Sequence, residues 1–556
     1  MANQFPWISK YPKGVNAEIS EPSFQNMSEL FSHASDKFAD RTAYENMGVR
    51  LSFRETERLA TAFAAYLQKK LGLKKGERIA IQMPNLLQFP VAFIGALKAG
   101  LIVVNTNPLY TPREMEHQFR DAGISAILIV ENFAFNLQSI RDKVPARHII
   151  VTSMGDLMGI KGHLVNFVVR KIKKLIPAYS LPGSIAFKEV IREGLKLTLD
   201  SPAVSREDVA VLQYTGGTTG ISKGAQLSHR NLLSHNEMIR QWFTPYLAKG
   251  RKDIMITALP MYHIFALTVN GVLMYHSGVK NVLITNPRDI PGFVKELKKH
   301  TFTIMTGVNT LFNALLNNPD FLKLDFSSLH GAIGGGMAVQ DAVAVRWQEV
   351  TGTPLVEGYG LSETSPVLCC NPLDGQHKRG SIGIPVPSTE VAIFDDDGNQ
   401  LPQGSSGEIC ARGPQVMRGY WEKDNTGVFF GEWFRTGDIG IMDPDGFFRI
   451  VDRKKDMIKV SGFNVYPNEI ENVLAGNPKV LEVAAIGIPD EKSGEAIKVF
   501  IVKKDDSLSE QEVKDFCHLN LTNYKVPKFV AFRKDLPKTN VGKILRRELK
   551  EAEKKS

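Results

Sequence analysis

Between positions 214 and 224 the chain reads YTGGTTGISKG, four glycines, three threonines and a lysine directly after the apolar run VAVLQ. A glycine-rich turn can aim successive backbone N–H groups at phosphate oxygens. Gly216, Gly217 and Gly220 supply that freedom, Thr215, Thr218 and Thr219 add hydroxyl donors, and Lys223 adds a mobile positive charge. The stretch departs from the P-loop ATPase rule, because Lys223 is followed by Gly224 instead of serine or threonine and is preceded by Ser222 instead of glycine. It therefore reads as a phosphate-contacting loop of another kind, with a plain surface turn as the alternative.

Two further polar groups lie downstream. In EGYGLSETS, residues 357–365, Tyr359 offers a flat ring to a nucleobase and Glu363 a hard oxygen for magnesium beside phosphate. In WFRTGD, residues 433–438, Asp438 is suited to accept hydrogen bonds from two ribose hydroxyls. Taken singly, each also reads as an ordinary turn.

The elements that must hold these residues follow an α/β rhythm. Residues 48–75 read as a long amphipathic helical region, followed by strand patterns at 77–84, 101–107 and 124–130 with the helical VAFIGALKAG at 91–100 between the first two. The rhythm returns through RKDIMITALP, PGFVKELKKH and TFTIMTG, and implies α/β layers on largely parallel strands. From 378 onward short strand patterns between turn formers predict an antiparallel, barrel-like subdomain. The last hundred residues predict a separate small α+β domain beginning near Asp456.

On a helical wheel, 160–176 (IKGHLVNFVVRKIKKLI) gathers Leu164, Val165, Phe167, Val168, Val169, Ile172, Leu175 and Ile176 on one arc, with Asn166, Arg170, Lys173 and Lys174 opposite. Two readings stand. Such a helix can lie in an anionic membrane interface, or pack its apolar face on the domain.

With 556 residues the chain can bury more than one core. Its net charge of +9 suits an anionic partner, yet no nucleic-acid-binding module accompanies that charge, and no nucleic-acid partner is expected. The N-terminal MANQFPWISKYPKG does not have the pattern of a secretory signal, and no apolar run reaches the ~18 residues of a membrane span. Cys369, Cys370, Cys410 and Cys517 form neither a metal pattern nor a plausible disulfide framework. A reducing, cytoplasmic setting is expected.

Five segments in order, YTGGTTGISKG (214–224), EGYGLSETSP (357–366), WFRTGDIG (433–440), DRKKDMIKVSGFNVYPNEIE (452–471) and PKTNVGKILRRELK (537–550), resemble the acyl-adenylate-forming, AMP-binding enzyme superfamily, and within it bacterial long-chain fatty acid-CoA ligases. The resemblance implies a large N-terminal domain of two α/β subdomains and a β-barrel-like subdomain (1–451), a hinge at 452–456 around Lys455, and a small mobile α+β C-terminal domain (457–556). It implies ATP and Mg2+ as cofactors and coenzyme A as co-substrate. A fatty carboxylate would attack the α-phosphate of ATP, and the coenzyme A thiol would then attack the acyl-AMP.

The resemblance also assigns roles. Lys543 is the adenylation lysine. Lys223 and the loop from Thr215 to Gly220 hold the outer phosphates, and His263 stands near the α-phosphate and carboxylate. Gly358, Tyr359 and Gly360 bind ATP or AMP, with Tyr359 stacking on the adenine, and Thr364 lies beside the α-phosphate. Glu363 with Thr215 holds magnesium, and Asp438 with Arg453 holds the ribose. Lys459 and Gly462 belong to the segment brought in for thioester formation. Leu267, Thr306, Gly334 and Gly335 fall in acyl-site regions, although some long-chain relatives carry a tryptophan gate where Leu267 stands.

Alternatives are a medium-chain or aromatic acid as substrate, a separate carrier protein as acceptor, or a membrane-associated nucleotide-binding scaffold without turnover. Expected partners are fatty acid, ATP, coenzyme A and, through 160–176, peripheral contact with an anionic membrane on the cytoplasmic face of the inner membrane. The resemblance leaves a homodimer open.

Overall fold

The structure, a computed structural model, describes residues 5–215, 222–247, 252–490, 492–539 and 542–554. Among them, four sheets carry the fold. A seven-stranded sheet is parallel except at its edge, where Val209–Thr215 pairs antiparallel with Lys223–Ser228. Its inner strands Ile102–Thr106 and Ala126–Val130 are buried at every position, as expected where helices cover both faces.

A nine-stranded sheet lies beside it, parallel through Leu355–Gly360, Gly331–Gly334, Ile304–Gly307, Ile254–Thr257, Lys280–Leu283 and Thr42–Asn46, with antiparallel strands at both ends. A curled five-stranded sheet of antiparallel strands, from Glu390–Phe394 to Phe448–Arg453, completes the large domain. The small C-terminal α+β domain has its own five-stranded sheet and its own apolar core around Ile458, Ile470, Val499 and Ile501.

Local chemistry sets several element boundaries. The helix Pro112–Ala122 begins where Thr111 and Glu114 exchange backbone N–H hydrogen bonds, with proline at the first helical position. It ends on Gly123 at φ 58°. The turn Ser461–Gly462, with both φ values positive, joins Ile458–Val460 to Phe463–Val465 as a two-residue hairpin, where glycine is favoured for its backbone alone.

Three expectations are corrected. Residues 48–75 are not one helix: Val49–Ser52 is a strand paired with Thr42–Asn46, and the helix spans Phe53–Lys69 because Ser52 caps it. The antiparallel subdomain does not begin at 378, since Ile384–Pro385 pairs with Val367–Cys370 as the edge of the nine-stranded sheet.

The third correction concerns 160–176, where an α-helix at Gly159–Phe167 passes into a π-helical turn at Val168–Ile172. Its inward side is partly the polar one. Asn166 accepts a hydrogen bond from the Gly155 N–H at 2.8 Å, and Arg170 pairs with the buried Glu131 at 2.6 Å. Leu164, Phe167, Ile172 and Leu175 face outward, with exposures from 51% (Leu175) to 65% (Ile172), and Ile160 at the helix start reaches 92%.

The chain crosses from one domain to the other between Phe448–Arg453, which pairs inside the curled sheet, and Ile458–Val460, which pairs inside the C-terminal sheet. The small domain docks on the large one through discrete polar contacts. The Thr310 hydroxyl donates to the Gly542 carbonyl at 2.9 Å, and the Asn313 amide donates to the Leu481 carbonyl at 3.0 Å. Arg546, nearly enclosed, reaches Glu471 in its own domain at 2.6 Å, and Asp456 at 3.5 Å and Asp452 at 3.3 Å around the crossover. Arg546→Ala would leave the buried Asp452 and the half-buried Glu471 without their cation, a change of about 3–5 kcal/mol. The expected result is several-fold faster tryptic cleavage after Lys454 or Lys455, followed on gels; cleavage at the wild-type rate would show that this contact does not hold the domains together.

Candidate active site

The antiparallel pair Val209–Thr215 and Lys223–Ser228 sets Thr215 opposite Lys223 in register, so the two polar residues that flank the glycine-threonine segment face each other. Gly216, Gly217, Thr218, Thr219 and Gly220 lie outside the described residues. The helix Pro112–Ala122 braces the stems: His117 Nε2 meets the Ser222 carbonyl at 2.9 Å, and the Tyr214 hydroxyl donates to Asp121 at 2.7 Å.

A second wall comes from the nine-stranded sheet. Leu355–Gly360 runs into the short turn Ser362–Thr364, which places Gly358, Tyr359, Gly360 and Glu363 along the cleft. The Thr215 hydroxyl donates to Glu363 Oε1 at 3.3 Å, joining the two walls. Thr364 departs from its expected place. Its hydroxyl accepts from the Leu361 N–H at 3.0 Å and donates within the same turn, and its fully buried side chain holds the turn's shape without lining the cleft.

The third wall is the curled sheet, where Asp438 and Arg453 are register partners on Trp433–Met442 and Phe448–Arg453. Arg453 Nε lies 2.9 Å from Asp438 Oδ1, while the Tyr359 hydroxyl donates to Asp438 Oδ2 at 2.7 Å. One buried carboxylate thus orients both the ring suited to a base and the guanidinium beside it. Its remaining lone pairs can still accept from hydroxyls.

The C-terminal domain contributes Lys543, held in a turn in which its N–H donates to the Thr539 hydroxyl at 3.0 Å and its carbonyl accepts from the Thr539 N–H at 2.7 Å. Lys543 enters the cleft with Arg453, Asp438, Arg546 and Lys455 around it. The Arg453 charge, and then burial, bring its pKa down to about 8. His263 faces the same space. Burial, helped by the Lys543 charge, lowers its pKa to about 4, so the ring is neutral at physiological pH. Its Nδ1 accepts from the Phe265 N–H at 3.3 Å, which leaves Nε2–H as a donor.

These groups line one cleft of about 2300 Å3, larger than a single small ligand needs and with an apolar branch walled by Ile239, Trp242, Phe243, Phe265, Val269 and Cys370. Of the four acyl-site expectations, Gly335 lines the cleft, and a Cβ there would meet the Phe265 ring at 2.9 Å. The other three do not line it. Leu267 packs in the core, Thr306 donates its hydroxyl to Asn270 at 3.1 Å inside the fold, and Gly334 is a buried strand residue. Lys455 lines the cleft; Lys459 and Gly462 stand on the exposed hairpin outside it.

Sequence reasoning missed Trp242, Glu357, Tyr420 and Arg546. Burial pushes the Glu357 carboxyl up to about 8, and its Oε2 accepts from the Val339 N–H at 3.1 Å. For Trp242 the only local signal was an apolar position on the helix His229–Phe243, which reads as core.

Among the described residues, no group of three or more histidine, cysteine, aspartate or glutamate side chains could hold a metal ion. Glu363 with the Thr215 hydroxyl nonetheless fits magnesium, which uses one or two protein oxygens with phosphate and water completing its shell.

The chain belongs to the family of AMP-binding enzymes: the family model matches residues 31–421, and the model of the AMP-binding enzyme C-terminal domain matches 469–543. Long-chain-fatty-acid–CoA ligase of Salmonella typhimurium is 56% identical over 548 residues, 98% of each chain. The Bacillus subtilis enzyme of the same name is 38% identical over 559 residues, 100% of this chain and 99% of the other. Among solved structures, the anthranilate CoA ligase AuaEII in complex with anthranoyl-AMP superposes with a TM-score of 0.84 at 27% identity, covering 96% of this chain and 98% of that one.

The like charges at Lys543 carry a direct expectation. With its methylated amine followed by NMR and assigned with Lys543→Arg, Lys543 should titrate near pH 8 in the ligand-free protein. Arg453→Gln should move that midpoint up and Asp438→Asn should move it down. A midpoint near the ordinary ~10.4 would mean that the ammonium stands outside the cleft.

Proposed function

We propose that this cleft joins long-chain fatty acids to coenzyme A through an acyl-adenylate, consuming ATP and releasing AMP and pyrophosphate. A carboxylate oxygen bonds to the α-phosphorus as the bond to pyrophosphate breaks. The coenzyme A sulfur then bonds to the acyl carbonyl, AMP leaves and the thiol proton is released. The observation that carries the residue assignment is that Lys543, His263, Asp438 and Arg453 line the same cleft as Thr215, Lys223 and Glu363.

Two anions must approach before the first bond forms, so positive charge and N–H donors at the reacting oxygens are the main means of acceleration. Lys543 bridges the carboxylate and the α-phosphate, and neutral His263 donates from Nε2. Lys223 holds the outer phosphates. Tyr359 stacks on adenine, with Gly358 and Gly360 beside it, and Asp438 with Arg453 receives the ribose. Glu363 and Thr215 hold magnesium, which neutralises charge on the phosphates when bound. The apolar branch takes the acyl chain, each buried methylene contributing ~0.8 kcal/mol.

A lysine that reaches the carboxylate from the small domain also obstructs a thiol heading for the same carbonyl. We assign residues 452–456, with Lys455 as pivot, as the hinge between a domain of 1–451 and one of 457–556. Rotation about it withdraws Lys543 and brings Lys459 and Gly462 toward the cleft. The exposed position of those two residues in the present arrangement supports such an exchange.

The surface at 160–175 supports peripheral membrane contact on the cytoplasmic face of the inner membrane. No helix among the described residues is long and apolar enough to cross a bilayer. Five outward apolar side chains with the exposed Lys171, Lys173 and Lys174 match an anionic interface instead.

Lys543→Ala should slow acid-dependent ATP–pyrophosphate exchange by about 100-fold or more, while thioester formation from supplied acyl-AMP stays within a few-fold of wild type. Equal losses in both half-reactions would rule out this division of labour. Combining Leu164→Glu, Phe167→Glu and Ile172→Glu should weaken sedimentation with phosphatidylglycerol vesicles by about tenfold or more, leaving exchange in detergent-free solution unchanged. Undiminished sedimentation would remove the membrane role.

A further inference from the structure

Tyr420 belongs to RGYW, 418–421, in the connection between Gly407–Arg412 and Phe429–Phe430 of the curled sheet. Its backbone leaves that sheet and lies along the strand Lys223–Ser228. The Gln226 N–H donates to the Gly419 carbonyl at 3.0 Å, and the Trp421 N–H donates to the Gly224 carbonyl at 2.8 Å. The Tyr420 N–H itself donates to Asn425 Oδ1 at 2.7 Å. The residue is therefore pinned on both sides, with its side chain on the cleft wall.

That side chain touches the groups assigned above to the metal and the outer phosphates. The phenol donates to Glu363 Oε1 at 2.7 Å, the same oxygen that Thr215 reaches at 3.3 Å. The Lys223 ammonium sits over the ring, 5.2 Å from its centroid. Lys223 and Glu363 carry opposite charges in one cleft, and a direct pair would tie each to the other instead of to the substrate.

We propose that Tyr420 is a positioning residue for magnesium–ATP: its hydroxyl occupies one Glu363 oxygen so that the other is presented to the cation, and its ring gives the Lys223 ammonium a resting place apart from that carboxylate. The proposal rests on the assignment of Glu363 to magnesium and extends it to a residue from another sheet. A ring face attracts a cation while leaving its N–H donors available, so Lys223 keeps its hydrogen bonds for phosphate oxygens. The phenol serves as the donor here, since the ionised Glu363 carboxylate can only accept.

The test uses a non-hydrolysable ATP analogue and calorimetry, so the readout is binding rather than turnover. Tyr420→Phe removes the hydroxyl and keeps the ring. It should raise the magnesium concentration needed for half-maximal analogue binding by roughly tenfold, the scale of a lost hydrogen bond to a charged group, and leave magnesium-free binding unchanged. Tyr420→Leu removes the ring as well and should also weaken magnesium-free binding. Both variants should keep the wild-type rate of thioester formation from supplied acyl-AMP, which a merely structural defect would lower. Glu363→Gln is the reference: it should abolish the magnesium dependence. If Glu363→Gln does so while Tyr420→Phe leaves that dependence at the wild-type value, the role of Tyr420 is overturned and the Glu363 assignment stands. If Glu363→Gln keeps the wild-type dependence, the assignment beneath the proposal falls.

Discussion

The structure depends on bringing a lysine from one domain up against an arginine of another. Lys543 and Arg453 repel each other, and that repulsion is the first cause of the lowered lysine pKa. The arrangement holds because the small domain is fastened elsewhere, by Thr310 to the Gly542 carbonyl, by Asn313 to the Leu481 carbonyl, and by Arg546 among Asp452, Asp456 and Glu471. The cost of crowding two cations is offset when anions arrive. A cleft built this way is complementary to a carboxylate meeting a phosphate, and much less so to the empty state.

The same logic explains how the three walls cooperate. Each contributes groups anchored at a strand end or a strand pairing: Thr215 and Lys223 across one antiparallel pair, Tyr359 and Glu363 around a turn, Asp438 and Arg453 across another antiparallel pair. Hydrogen bonds then cross between walls, from Thr215 and Tyr420 to Glu363 and from Tyr359 to Asp438. Rigid sheets set the positions, and these cross-wall bonds set the orientations, so little reorganisation remains when substrates bind. The connection between Arg453 and Ile458 links the curled sheet to the C-terminal sheet, and the Lys454 N–H in it still donates to the Gly437 carbonyl at 3.1 Å.

Much of this was legible in the linear chain. The α/β layering follows from apolar strand patterns spaced by amphipathic helices, and the helix at Pro112 announces itself through Thr111, Pro112 and Glu114. The motifs carrying Lys223, Tyr359, Glu363, Asp438, Arg453 and Lys543 are local in sequence, and all these residues line the cleft. At Thr364 hydroxyl chemistry alone does not say whether the group faces a ligand or closes its own turn, as its hydroxyl does here with Leu361. Leu267, Thr306 and Gly334 do not line the cleft and Gly335 does, because neighbours along a strand or helix face different ways.

What the amino-acid order alone determined was the kind of chemistry and the layered scaffold, because both rest on residue types and on periodicities spanning a few residues. The folded chain decided which groups meet. Asn166 and Arg170 point inward because Gly155 and Glu131 supply partners, which leaves Leu164 and Phe167 outside, a choice between two orientations that the wheel left open. Tyr420 reaches Glu363, 57 positions away, because its backbone joins a strand of another sheet. Contacts of that separation arise from packing and strand register, and no local pattern encodes them.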